Sequence, residues 1–323
     1  MSRIGVIGAG AFGTAMACTT ARGGHEVRLW ARDTALAEAI QKKRENTRYL
    51  AGVALPVTLQ ATGNLAELVN SDCLLIVIPA QKLRMFLQQN DLSQITCPII
   101  LCAKGLETGT GLRQTEIARQ EGLTGTVAVI SGPGFAPEMA RGMPTALSIA
   151  CTNAEVGKKL QSDLSSASLR LYLSEDVTGV QLGGALKNVY AIACGIIVGA
   201  DLGESARAAL MTRGYAEMSR LVQVLGGRPE TLVGLSGFGD LALTCTSPQS
   251  RNFTFGATLG KAAQAGEGIT VEGIATARAV VDLAKHHRLD MPVAQIVADV
   301  LEQKLTVSEA LQTLMARPLR KES

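Results

Sequence analysis

Ile4-Gly5-Val6-Ile7-Gly8-Ala9-Gly10-Ala11-Phe12-Gly13 decides how the rest of the chain is read. Apolar, β-branched residues run into glycines spaced Gly-x-Gly-x-x-Gly, and Ala15, Met16 and Thr19 continue at helical spacing. That order is strand, tight turn, helix. Gly8 permits the turn, Gly10 lets the backbone approach a pyrophosphate, and Gly13 lets helix and strand pack closely. The helix start offers unpaired N–H groups and a positive dipole end to the phosphates. A purely structural glycine turn is the alternative. A second strand at His25–Trp30 favours a dinucleotide-binding unit.

That second strand ends at Ala31-Arg32-Asp33, where such a fold meets the adenosine ribose. A guanidinium at Arg32 can pair with a 2′-phosphate or stack on adenine, which favours NADPH with NADH as a possible second cofactor. Asp33 turned inward would favour the free 2′-hydroxyl; a solvated Arg-Asp pair opening a helix is the third option. Further on, Cys73–Pro79, Ile99–Ala103, Val127–Ile130 and Ala146–Ala150 read as buried strands with helical segments between several of them. Leu169–Leu173 is the last strand candidate. Strands alternating with helices imply a largely parallel sheet covered on both faces, a Rossmann-type α/β domain placed at residues 1–176. Ligands collect at the carboxyl ends of such strands, where the loops 79–81, 104–107 and 131–136 fall. Lys104 closes one strand at the mouth of the crevice, or is an ordinary strand-end charge.

From Val177 only helical periods remain, so residues 177–323 are expected to form an all-α domain for substrate and catalysis. Lys187 is the single charge between Val177 and Ala200. Gly183 and Gly184, one turn earlier, leave room for something to approach that face. The lysine either snorkels at an edge or is desolvated, and desolvation would make it a usable base. Met211, Tyr215, Met218, Val222 and Leu225 form a core stripe ending at Gly226-Gly227. The polar stretch Ser236–Asn252 carries Gly239-Asp240, Thr244-Cys245-Thr246 and Ser250-Arg251-Asn252, and a helix is predicted from Asn252 to Ala265. Arg251 there is either a phosphate receptor or a solvated side chain beside a serine cap. Later helices are Gly273–His287, Pro292–Leu301 and Val307–Met315, the last behind the capping box Thr306-x-x-Glu309. Arg317–Ser323 reads as a loose tail.

Composition narrows the function. Aromatics at 3% argue against a base-stacking nucleic-acid surface, and a net charge of +3 over 323 residues suggests no polyanion partner while suiting a small anionic substrate. Seven scattered cysteines without a Cys-x-x-Cys pair read as reduced core residues and fit a cytoplasmic address. Three histidines give no metal-ligand pattern. Ile4–Ala21 is uncharged, but the dinucleotide turn explains it better than a targeting signal, and Asn188–Ala200 is too short to span a bilayer.

Taken together, Gly-Ala-Gly-Ala-Phe-Gly-Thr-Ala, Lys-Gly-Leu-Glu (104–107), Gly-Val-Gln-Leu-Gly-Gly-Ala-Leu-Lys-Asn (179–188), Gly-Asp-Leu-Ala-Leu-Thr-Cys-Thr (239–246) and Ser-Arg-Asn (250–252) resemble, in order, bacterial NAD(P)-dependent glycerol-3-phosphate dehydrogenases. The resemblance covers nearly the whole chain. It implies reversible reduction of dihydroxyacetone phosphate to sn-glycerol 3-phosphate, which supplies phospholipid backbones, and a cytoplasmic homodimer. It also implies site roles. Lys187 becomes the proton donor or acceptor. Lys104, Gly132, Asp240, Ser250, Arg251 and Asn252 join Lys187 in lining the substrate. Ala11, Phe12, Arg32, Ala136 and Glu272 meet the cofactor along with Gly8, Gly10 and Gly13, and Lys104 and Arg251 are shared. The family usually places Thr, Ser or Asn where this chain has Gly134, so that position is left off the substrate set. Two other functions compete: a reductase of a hydroxy acid or ketopantoate-like substrate on the same architecture, and a non-catalytic NAD(P)-sensing module.

Overall fold

The computed structural model describes residues 1–92, 94–261 and 271–316. The predicted end of the Asn252 helix at Ala265 and the tail from Arg317 lie outside the described residues. The chain begins β1 (Arg3–Ile7), α1 (Ala11–Arg22), β2 (Glu26–Trp30), α2 (Thr34–Lys43), β3 (Leu59–Thr62), β4 (Cys73–Ile76), α3 (Leu83–Gln89) and β5 (Ile99–Leu101). It continues α4 (Gln114–Gln120), β6 (Val127–Ser131), α5 (Ala136–Ala140), β7 (Thr145–Cys151), α6 (Ala154–Leu164) and β8 (Leu169–Ser174). These strands form one sheet ordered β3-β2-β1-β4-β5-β6-β7-β8. Every pairing is parallel except β6 with β7. Ile4, Val6 and Ile7 are buried, as are all four residues of β4, because helices cover both faces. The strand order reverses between β1 and β4, and that switch point opens a crevice at their carboxyl ends.

β3 did not stand out in the sequence. Its Leu-Gln-Ala-Thr has one partly exposed and one exposed residue between buried ends, so it carries no apolar run. It is a strand because β2 pairs with it, Val27 opposite Leu59 through Trp30 opposite Thr62.

The second half holds α7 (Val177–Gly199), α8 (Glu204–Val224), α9 (Asp240–Thr246), α10 (Arg251–Gly260), α11 (Glu272–His286), α12 (Pro292–Leu301) and α13 (Val307–Met315). α7 is long and apolar enough to cross a membrane, yet 83% of that apolar window is buried inside the protein. Its apolar surface is covered all round by its neighbours, which is the core-helix solution to uniform hydrophobicity. α10 lies closest. Gly195 and Gly199 of α7 face Gly256 and Gly260 of α10 at matching four-residue spacing. A Cβ on Gly195 would sit 2.1 Å from the Phe253 carbonyl oxygen, and one on Gly256 would sit 2.1 Å from that of Ile192. The helices touch backbone to backbone, which places the start of α10 beside the middle of α7.

Gly256→Ala should therefore force α7 and α10 apart and cost about 1–3 kcal/mol, seen as a lower thermal midpoint. Gly125→Ala, where a Cβ meets nothing within 4 Å, is the control. Equal midpoints for the two variants would contradict the backbone contact.

Candidate active site

The phosphate turn is built from three different demands on glycine. Gly8 has φ 113°, and a Cβ there would lie 2.4 Å from the Val77 carbonyl oxygen. Gly13 faces the Gly8 carbonyl, where a Cβ would be 1.9 Å away. Gly10 has nothing within 4 Å of such a Cβ. The first two close the turn on itself, and the third leaves an open cradle before the N–H groups of Ala11 and Phe12. This shape fits a pyrophosphate: open where a ligand backbone would lie, closed elsewhere. Arg32 is exposed at the end of β2, away from the lysines described next. Asp33 does not turn inward. Its carboxylate accepts from the Leu36 N–H at 3.2 Å, capping α2, and lies 3.5 Å from Arg48. Ala136 is the first residue of α5.

Across the crevice, Lys187 is 7% exposed and Asp240 is 1% exposed. The Lys187 ammonium donates to Asp240 Oδ1 at 2.7 Å and to Thr244 Oγ1 at 2.7 Å. Thr244, one helical turn after Asp240, donates its own hydroxyl to Oδ1 at 3.3 Å. Lys104 takes the other oxygen: its ammonium is 2.7 Å from Asp240 Oδ2 and 2.7 Å from the Gly132 carbonyl. Lys104 also lies 5.8 Å above the centre of the Phe12 ring. Each ammonium thus spends two of three N–H groups on protein acceptors. Asp240 opens α9 behind a π-helical turn, Leu235–Gly239, and a helix start favours its charge.

Burial holds Lys187 down to about 8 from an ordinary 10.5; the nearby Lys104 charge also lowers it, while the Asp240 carboxylate opposes. The sequence left two options for this lysine, and it is the desolvated one. Glu272, first in α11, is pushed up by burial; the positive charges of Arg251, Lys187 and Lys104 oppose that shift.

The room at Gly183 and Gly184 is taken by the chain itself. A Cβ on Gly183 would lie 2.6 Å from the Ser236 carbonyl oxygen, and one on Gly184 would lie 2.2 Å from Ser131 Oγ. These glycines admit the β6 loop and the π-helical turn, and so bring Gly132 and Asp240 to Lys187. Gly134 has a similar cause: Met139 Sδ would be 2.9 Å from its Cβ, so α5 fills the place of a side chain.

Ser250 caps α10, accepting from the Phe253 N–H at 3.2 Å, and Arg251 follows with its side chain exposed. The serine cap is present, and the exposed Arg251 stands beside the α10 N-terminus. Asn252 works differently from a simple lining residue. Its Oδ1 accepts from the Gly273 N–H at 2.9 Å, its Nδ2 donates to Asn188 Oδ1 at 2.9 Å, and Asn188 donates to the Lys104 carbonyl at 3.0 Å. Thr244 and Asn188 were not picked out from the sequence as site residues. The four-residue spacing from Asp240 to Thr244 was the available signal for one; Asn188, beside Lys187, had none. Among the described residues no group of three His, Cys, Asp or Glu is placed to hold a metal ion.

Asp240→Asn should move the Lys187 titration below about 8, because the opposing carboxylate charge is lost while burial and Lys104 remain. NMR of the lysine Cε or Nζ signal reads this directly, and an unmoved or raised midpoint would contradict the assigned geometry.

Comparison with known proteins bears on this constellation over its full length. The family described as NAD-dependent glycerol-3-phosphate dehydrogenase matches by its N-terminal part over residues 3–157 and its C-terminal part over residues 176–312. A glycerol-3-phosphate dehydrogenase [NAD(P)+] of Roseobacter denitrificans is 50% identical over 321 residues, 99% of each chain. One from Ruegeria sp. is 49% identical over 99% of each chain. The structure of glycerol-3-phosphate dehydrogenase from Coxiella burnetii superposes with a TM-score of 0.92 at 39% identity, covering 98% of this chain and 99% of that one. The glycine cradle, the two lysines on one carboxylate and the capped arginine therefore sit in a chain that belongs to the NAD-dependent glycerol-3-phosphate dehydrogenase family.

Proposed function

We propose that this chain interconverts dihydroxyacetone phosphate and sn-glycerol 3-phosphate, residues 1–176 holding NAD(P)H and residues 177–323 supplying the substrate and proton-transfer groups. The observation that carries the reading is the cluster of Lys104 with buried Lys187 and Asp240, facing a glycine cradle. When bound, the nicotinamide supplies or accepts the hydride. Everything else is work for the chain's own side chains. Gly8, Gly10 and Gly13 shape the pyrophosphate turn, with Ala11, Phe12, Ala136 and Glu272 along the cofactor path. Arg32 reads the ribose 2′-phosphate and favours NADPH, while Asp33 is engaged as the α2 cap.

On the substrate side, Arg251 and the N–H groups opening α10 hold the phosphate, away from the reacting carbon. That remote binding orients the carbonyl. Lys187, protonated, directs its spare N–H at the ketone oxygen, stabilises the developing negative charge and transfers a proton to it. In the reverse direction neutral Lys187 takes that proton back. Lys104, with Gly132, Asp240, Ser250 and Asn252, frames the glycerol unit. Seven free cysteines, all but Cys97 buried, fit a cytoplasmic setting.

Four measurements test this. Lys187→Ala should fold and bind NADPH yet lose roughly 10²- to 10⁴-fold in turnover; near-wild-type rates would remove the proton role. Arg251→Ala should raise the KM for dihydroxyacetone phosphate on the order of 10- to 100-fold, and an unchanged value would favour an unphosphorylated substrate instead. Arg32→Asp should lower the NADPH-to-NADH preference; a fixed ratio would free Arg32 of that role. The pH dependence follows from Lys187 at about 8. Oxidation of glycerol 3-phosphate needs the neutral amine and should rise through that pH, while reduction needs the ammonium and should fall through it.

A further inference from the structure

Lys104 stands in an irregular segment. β5 ends at Leu101, and no helix or strand resumes until α4 at Gln114. Its ammonium must nevertheless hold a fixed place beside Lys187, a like charge sharing the same carboxylate. Mutual repulsion pushes the two apart, and a loop with no ladder of backbone bonds resists that poorly on its own.

Side chains hold residues 104–106, and backbone bonds close the turn after them, Glu107 N–H to the Leu112 carbonyl and Gly111 N–H to the Glu107 carbonyl, each at 2.9 Å. Three consecutive carbonyls each accept one side-chain amide N–H: Lys104 from Asn188 at 3.0 Å, Gly105 from Gln114 at 3.1 Å and Leu106 from Gln81 at 2.6 Å. Gly105 packs so closely that a Cβ would be 2.9 Å from the Ala80 Cβ. Leu106, 1% exposed, is set into the core of the helical half. The next residue, Glu107, takes a two-point grip from α3. Its Oε1 accepts from Arg84 Nε at 2.7 Å, and its Oε2 accepts from Arg84 Nη2 at 2.9 Å and from the Thr110 hydroxyl at 2.6 Å. Arg84 is braced in turn by Gln120 at 2.9 Å and by Glu121, both at the end of α4. A fork-to-fork pair of this kind fixes direction as well as distance.

We propose that Glu107, gripped by Arg84, is a positioning residue for Lys104: it fixes the register of the 104–107 loop so that the Lys104 ammonium stays on Asp240 and the Gly132 carbonyl. This rests on the proposed roles of Lys187 and Lys104. Glu107 itself touches neither. Without the grip, the loop keeps its three amide bonds but loses its charged anchor to α3, and repulsion from Lys187 carries Lys104 outward.

The test compares Arg84→Ala, Glu107→Ala and the double variant for kcat, KM and the Lys187 titration followed both kinetically and by NMR. Glu107→Ala should lower kcat on the order of 100-fold with the NADPH KM unchanged. The Lys187 midpoint should rise above about 8, because the second positive charge has moved off. The double variant should be no worse than the worse single one, since either change breaks the same grip. A stable Glu107→Ala with wild-type kcat and an unmoved midpoint would overturn the proposal, as would fully additive losses. Should Glu107→Ala not fold, Glu107→Gln keeps one acceptor for Arg84. A smaller shift in the same direction then supports the proposal, and an unmoved midpoint overturns it. Lys187→Ala separates this from the proton assignment: wild-type turnover there removes the assignment, while the NMR midpoint still decides the positioning.

Discussion

One buried carboxylate holds two ammonium groups, one buried and one half-buried. Asp240 gives one oxygen to Lys187 and the other to Lys104, each at 2.7 Å. Two positive charges and one negative leave the cluster with one positive charge in excess, in a place with little water to screen it. Such an excess is costly in isolation. Here it is met by the Thr244 hydroxyl and the Gly132 carbonyl. The start of α9 supports the shared carboxylate. What stays available is one N–H on each lysine, a pair suited to an oxygen bearing negative charge. Under the proposed reaction, that is the charge a ketone oxygen develops as hydride arrives, and the donors are already in place for it.

The three members come from three distant parts of the chain, so the cluster exists only if both halves dock in one way. α7 fixes that docking. Asp176 caps it, accepting from Gly179 N–H at 2.8 Å, and its other oxygen accepts from Arg228 N–H at 2.8 Å and the Thr231 hydroxyl at 2.7 Å. Arg113 reaches from the start of α4 to Thr178 at 3.2 Å and the Leu225 carbonyl at 3.1 Å. Gln181 donates to Thr115 at 2.9 Å and accepts from its N–H at 3.1 Å. The Asp176 bonds fix the first turn of α7 within the helical half, and the Arg113 and Thr115 bonds tie it to the sheet half, about three turns below the α10 contact. Lys187 lies between the two anchor points, on a rigid segment, and a rigid element is what a group needing a sub-ångström placement requires.

What was legible in the sequence follows from how local each signal is. The dinucleotide turn is legible because strand, glycine spacing and helix all lie within about twenty residues and each glycine has its own steric cause. Lys187 was conspicuous as a lone charge in an apolar helix, but its neighbours decide between edge and interior, and they are far away in the chain. Gly183 and Gly184 show the limit clearly. Sequence says that something approaches there; it does not say whether that is a ligand or the protein's own Ser131 and Ser236. β3 was hidden for a related reason, since its strand character comes from pairing with β2 and not from its own residues. The amide chain from Gly273 through Asn252 and Asn188 to Lys104 joins four elements with no shared pattern, and nothing short of the fold reveals it.

The same non-locality explains why the lysine has a usable pKa. Burial alone would push a lone lysine far down, and a lone carboxylate partner would pull it back up and lock it as an ion pair. Neither extreme gives an amine that both donates and accepts a proton near neutrality. Lys104 breaks the deadlock: as a second cation on the same carboxylate, it weakens the hold of Asp240 on Lys187 without removing it. The balance therefore depends on where Lys104 stands, and so on the loop that carries it, which has no secondary structure of its own. The helical half supplies Asn188 and a socket for Leu106, and the sheet half supplies Gln81, Gln114 and Arg84. Domain docking and the placement of the second charge beside Lys187 are consequently coupled, because both halves hold the loop that carries Lys104.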